Sequence, residues 1–213
     1  MNEKGKPILR GHFHQAAFFI ALGASSVLVA MANSLEARIA GLIYGFGLTL
    51  MYGISALYHR IQWKPQARVW WRRLDHAGIF IMIAGTGTPV AALGIGGEAG
   101  RNMLWILWLS AFAGVLKELF WIHAPKWVSA FFYVMMGWVA IFYYQEMIMG
   151  IGYMGLSLMV IGGIFYTIGA VIYAMKKPDP YPLVFGYHEI FHLLVMVASV
   201  FHFAVVFRLV AAK

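Results

Sequence analysis

Gly186-Tyr187-His188-Glu189-Ile190-Phe191-His192 stands at the head of an apolar run, Leu193 to Val206, interrupted only by Ser199 and His202. The run is long enough to extend a helix through a bilayer, which takes about 20 apolar residues. The two histidines at its entrance are four positions apart. On a helix that spacing stacks both imidazoles on one face, about one turn apart, where they can share one metal ion. Ionisable side chains in a membrane helix are costly and mark functional sites. The rest of the chain is therefore read for what else converges on this pair.

Composition sets the class. Of 213 residues, 62% are hydrophobic and 11% charged, with a mean hydropathy of +0.76. A soluble domain carries about 25% charged residues, so this chain lacks the polar surface to coat a globule. At about 20 residues per span, with short loops, the length predicts about seven transmembrane helices. The expectation is an all-α integral membrane bundle, residues 1–213 forming one domain with a short cytoplasmic tail, 1–12. Cysteine is absent, which leaves His, Asp, Glu or water as metal ligands. The net charge of +8 fits basic cytoplasmic loops beside anionic lipid, and no nucleic-acid partner is expected. The polar, basic tail before the first apolar run has no cleavable signal pattern.

Hydropathy places the spans at about Phe13–Ala32, Ile39–Tyr58, Ala77–Ile95, Met103–Ile122, Trp127–Tyr144, Ile151–Met175 and Val184–Phe207. Pro89 predicts a kink in the third. Arg60 to Arg73 reads as a basic loop, and Lys176 to Pro182 as a rigid turn. The tail carries Lys4, Lys6 and Arg10, and the basic loop Arg60, Lys64, Arg68, Arg72 and Arg73. Lys117 and Lys126 follow span four, and Lys176 and Lys177 follow span six. Only Arg38, Arg101, Arg208 and Lys213 fall on the other side. That bias puts the N-terminus in the cytoplasm and, after seven crossings, the C-terminus outside. Gly41, Gly45, Gly78 and Gly85 suit close helix packing. Trp105, Trp108, Trp121, Trp127 and Trp138 read as interfacial anchors.

With this topology Ser55 and His59 fall on one face at the cytoplasmic end of span two. Asp75 opens span three, and His188 and His192 open span seven. Three helices thus bring His59, Asp75 and the histidine pair to one depth. Three neutral imidazoles with an open fourth position make a catalytic-type zinc site, which acidifies water and enables ester or amide hydrolysis. Asp75 is either a ligand or a general base, or else a counter-ion for Arg72 or Arg73; Ser55 orients a histidine or the water. His202 lies about 15 Å beyond His192 by helical rise and reads as a packed or water-bound histidine. His76 reads as interfacial packing, and His12, His14 and His123 as solvated. His188-Glu189-Ile190-Phe191-His192 also fits the H-E-x-x-H pattern of zinc proteases, with Glu189 as base and Asp75 as a distant ligand. That scheme leaves His59 unexplained. Otherwise Glu189 faces the headgroup layer.

Three segments together carry a family resemblance: Ser55-Ala56-Leu57-Tyr58-His59, Arg73-Leu74-Asp75-His76-Ala77-Gly78-Ile79-Phe80, and His188-Glu189-Ile190-Phe191-His192. In this order they resemble the signature segments of the haemolysin III proteins, within the adiponectin and progestin receptor superfamily. The resemblance covers nearly the whole chain. It implies seven spans in a bacterial cell membrane and a zinc ion near the cytoplasmic side. It further implies that His59, His188 and His192 are ligands, that Asp75 reaches the ion through water, and that Ser55 lies beside it. The receptors resemble ceramidase-type lipid hydrolases, so the implied activity is zinc-dependent cleavage of a lipid amide or ester. The acyl chain of a membrane lipid would enter the bundle. The rival classes are a receptor-like sensor with structural zinc and a cytolytic membrane protein. The short tail leaves no room for a sizeable domain ahead of span one, so hormone binding is not implied.

Overall fold

The computed structural model describes residues 6–213; of the basic tail, Lys4 lies outside them. The described chain is helical, with six helices long and apolar enough to cross a membrane. We number them α1 (His12–Ala30), α2 (Leu35–Arg60), α3 (Pro65–Pro89), α4 (Gly97–Phe120), α5 (Lys126–Gly137), α6 (Tyr144–Met175) and α7 (Tyr187–Ala211). Here α5 and α6 are two labels on one continuous helical stretch, Lys126–Met175, the fifth of the six.

That stretch is not straight. A 3-10 turn, Trp138–Tyr143, follows α5, and Gly152 inside α6 adopts φ 71° and ψ 171°. Only glycine takes that conformation readily. Trp138 Nε1–H donates to Thr167 Oγ1 at 3.0 Å. The two residues are 29 apart, about 43 Å along a straight helix, so the chain folds back between them. The reversal falls at Gly152, just past the predicted start of the sixth span. Trp138 is accordingly an inward-facing hydrogen-bond donor and not the interfacial anchor expected from its position.

Local chemistry fixes the other ends. Ser34 caps α2, its Oγ accepting from Ala37 N–H at 3.2 Å, as an N-cap serine does. Pro65 starts α3 at the one turn where a missing N–H costs nothing. Most of the expected basic loop is therefore the first turns of α3. Pro89, which cannot donate back to the preceding turn, ends α3, and the chain continues as a π-helical turn, Val90–Ile95. The predicted kink takes this form.

The helices follow one another around a ring that α1 closes against α7. α7 packs on α1, α2, α3 and α6, so the helix that carries the histidine pair meets the helices that carry its neighbours. Small residues allow the close approaches: a Cβ on Gly45 would lie 2.7 Å from Ser25 Cβ, and one on Gly85 3.2 Å from the Ile43 carbonyl oxygen. These glycines pack helices, as their spacing suggested.

Candidate metal centre

α7 begins with a cap that orients its first turn. Glu189 Oε2 accepts from the Gly186 N–H at 2.9 Å, and the other carboxylate oxygen pairs with Arg10. Glu189 is 1% exposed and does not line the cavity described below. It is neither a solvated headgroup contact nor placed as a protease base. Its charge is spent on the helix N-terminus and on Arg10, where an acidic group is favourable.

The cap leaves His188 and His192 facing the bundle interior, 8% and 2% exposed. From α2, His59 meets them. His59 Nε2 and His188 Nε2 are 3.1 Å apart, and the His192 ring centroid lies 5.1 Å from that of His59. One nitrogen from each of the three can be chosen so that all lie within 4.8 Å of one another. Two nitrogens bound to one zinc at about 2.0–2.1 Å in tetrahedral geometry are about 3.3 Å apart. The donor set therefore fits a metal ion. The buried triad can hold one, and the three residues are those that shared depth selected.

Asp75, on α3, places Oδ2 3.8 Å from His59 Nε2. Its side chain is 13% exposed, and Ser55 lies beside it. Arg73 turns elsewhere, its guanidinium 4.6 Å over the Trp70 ring. Asp75 thus belongs to the histidine cluster and not to an ion pair with Arg73. Beside it His76 Nε2 meets the Tyr173 hydroxyl at 3.0 Å, and the Tyr133 hydroxyl donates to the His76 carbonyl at 3.2 Å. Tyr133 also reaches Glu118, which is buried and bound by Lys117 at 2.8 Å and Ser129 at 2.9 Å. Lys117, assigned to a loop from the sequence, lies in the last turn of α4.

The structure adds one residue that the sequence reading set aside. His14, expected to be solvated, is 2% exposed. Its Nδ1 is 2.8 Å from Ser55 Oγ. Its ring stacks on His192 with centroids 3.7 Å apart and planes 8° from parallel. The signal was present: His14 falls at the start of the predicted first span, at the same end of the bundle as the other histidines. His123 is exposed as expected. His202 is packed, its Nε2–H donating to the Met159 carbonyl at 3.0 Å.

Below the triad opens a cavity of about 1270 Å³, counted with the part open to the outside. Asp75, His188 and His192 line its head, Met82 and Leu107 its sides, and His202 its deep end. From His192 to His202 is about 15 Å of helical rise. A polar head above an apolar shaft suits an amphipathic ligand.

The profile of the haemolysin-III related proteins matches residues 2–203. The chain belongs to that family. This haemolysin-III related protein is 30% identical over 193 residues to Hemolysin-3 of Bacillus cereus, an alignment spanning 89% of this chain and 85% of that one. It is 32% identical over 157 residues to the Hemolysin-3 homolog of Bacillus subtilis (strain 168), covering 74% and 70%. With the human Monocyte to macrophage differentiation factor it shares 26% over 198 residues, covering 90% and 80%. The resemblance carried by the three segments is thus borne out, for the family and the wider superfamily. Six apolar helices and this membership make the haemolysin-III related protein an integral multi-pass membrane protein.

Proposed function

We propose that the protein is a zinc-dependent membrane hydrolase that cleaves a lipid amide or ester, with the acyl chain held in the bundle cavity. One observation carries the reading. Three buried imidazoles converge beside a carboxylate at the head of an apolar cavity. Three neutral nitrogens with oxygen neighbours and no thiolate suit zinc. Bound there, the metal supplies a Lewis acid that polarises a carbonyl and acidifies water.

The chain's own residues do the rest. His59, His188 and His192 hold the ion. Asp75 lies beside the triad, Oδ2 3.8 Å from His59 Nε2, but outside the set of three that can share one ion, so it would take the proton of a water held there. Ser55 orients Asp75. Met82, Leu107 and the other apolar walls exclude bulk water and seat the chain. A structural site is closed by four protein ligands; here only three converge among the described residues, which favours catalysis over a structural clamp.

The same reading assigns seven crossings, with the Lys126–Met175 stretch crossing twice around Gly152, the N-terminus in the cytoplasm and the C-terminus outside. The membrane is that of a bacterial cell. The test is fatty-acid release from a panel of ceramides and phospholipids by protein purified in detergent, with and without a chelator. Release that the chelator abolishes and zinc restores is expected. No release from protein carrying stoichiometric zinc would overturn the hydrolase.

A further inference from the structure

His14 is the one buried histidine beside the triad to which the metal reading gives no task. Its position is built in from the sequence upward. Gly11 takes φ 82°, a left-handed turn that glycine adopts without strain, and this turn drives the chain into α1. The turn presses on the site itself, because a Cβ on Gly11 would lie 2.7 Å from His59 Cβ. The first turn of α1 then carries His14 between α2 and α7.

Three contacts hold the ring there. Ser55 Oγ meets Nδ1 at 2.8 Å. The Tyr52 ring stands edge-on, with centroids 5.0 Å apart, and its own hydroxyl is tied to Ser199 Oγ at 2.5 Å. The open face of His14 lies flat on His192. The hydrogen-bond directions follow. Ser55 lies beside Asp75, which as a base is ionised and only accepts, so the Ser55 hydroxyl proton turns toward it. The Ser55 oxygen then accepts the Nδ1–H of His14. The Nε2 of His14 is left buried without a close partner. The ring is held by Ser55 at one edge and by stacking.

We propose that His14 is a positioning residue that sets the ring plane of His192, so that the three ligand nitrogens converge before the metal arrives. A ligand imidazole is ordinarily fixed by a hydrogen bond to its second nitrogen. None is shown for His192 among the described contacts, and the flat stack does this work in its place. Ser55 joins the two halves of the site, since it bonds His14 on one side and lies beside Asp75 on the other. The proposal rests on the metal reading above.

The test is metal binding, read without turnover. Apoprotein in detergent is titrated with zinc and, for its visible spectrum, with cobalt. His14→Ala removes the stack and the hydrogen bond, while His14→Phe keeps the aromatic face. Loss of a group that orients a metal ligand typically costs 10–100-fold in affinity. His14→Ala is expected to weaken zinc by about that factor and to shift the cobalt absorption band. His14→Phe is expected to recover most of the affinity and the wild-type band. If His14→Ala does not give folded protein, His14→Leu, which fills the space without an aromatic face, replaces it with the same expectation. Wild-type affinity and spectrum in the non-aromatic variant would overturn the proposal, as would His14→Phe binding as weakly as that variant. A wild-type protein that binds neither metal would overturn both this proposal and the metal reading, which separates the two failures.

Discussion

Asp75 and His188 occupy one cluster in different roles, and substitution separates them. Asp75→Asn keeps the shape of the side chain and removes the base. Zinc content is expected to stay stoichiometric while turnover falls by about 10²–10⁴-fold, the range of a lost general base. His188→Ala is expected to lose both, as metal analysis of the purified variants would show. Glu189→Gln distinguishes the cap from a protease base. Glu189 is bound by Gly186 N–H and Arg10, so removing its charge strands Arg10 and destabilises by about 1–3 kcal/mol, with zinc and turnover retained. A thermal melt beside an activity assay checks this; abolished turnover at full stability would contradict it. At this scale the sequence was most informative where spacing and depth agreed, as for His59, Asp75, His188 and His192. It failed for His14 and Glu189, whose partners Ser55, His192 and Arg10 come from distant parts of the chain and leave no mark on the local sequence.

Between α5 and α6 the fold depends on a backbone conformation. Gly152 has φ 71° and ψ 171°, and a Cβ there would meet nothing within 4 Å. Gly152→Ala therefore tests the backbone alone, with an expected cost of about 1–3 kcal/mol and a lower melting temperature. Gly137 also has open space around its missing Cβ but φ −64°, so Gly137→Ala is expected to be neutral or mildly stabilising. Equal effects at both positions would contradict the reversal at Gly152. Hydropathy located the helices because burial in lipid demands apolar length. It could not locate their ends, since Arg60 to Arg73 is polar whether coiled or helical. Pro65 at the first turn and the continuation of α3 through Asp75 settle that stretch as helix.

For the whole molecule the open assignment is sidedness, and the absence of cysteine makes it measurable. Single cysteines at Lys177 and Lys213 are expected to label from opposite sides of sealed vesicles, Lys177 from the cytoplasmic side. Labelling of both from one side would contradict seven crossings. Fold class was legible from composition because an 11% charged chain has no other stable home. The order of helices around the ring was not, since lipid-facing and partner-facing apolar surfaces look alike in sequence. Only with α7 enclosed by α1, α2, α3 and α6 do four helices deliver His14, His59, Asp75 and the histidine pair to one point. At this point a metal ion is proposed to be held by His59, His188 and His192. The most direct measurement is the metal content of protein purified from cells, for the wild type and for His59→Ala, His188→Ala and His192→Ala. One zinc per chain is expected in the wild type, and loss of it in each variant. Metal-free wild type, or variants that keep full zinc, would contradict the proposal.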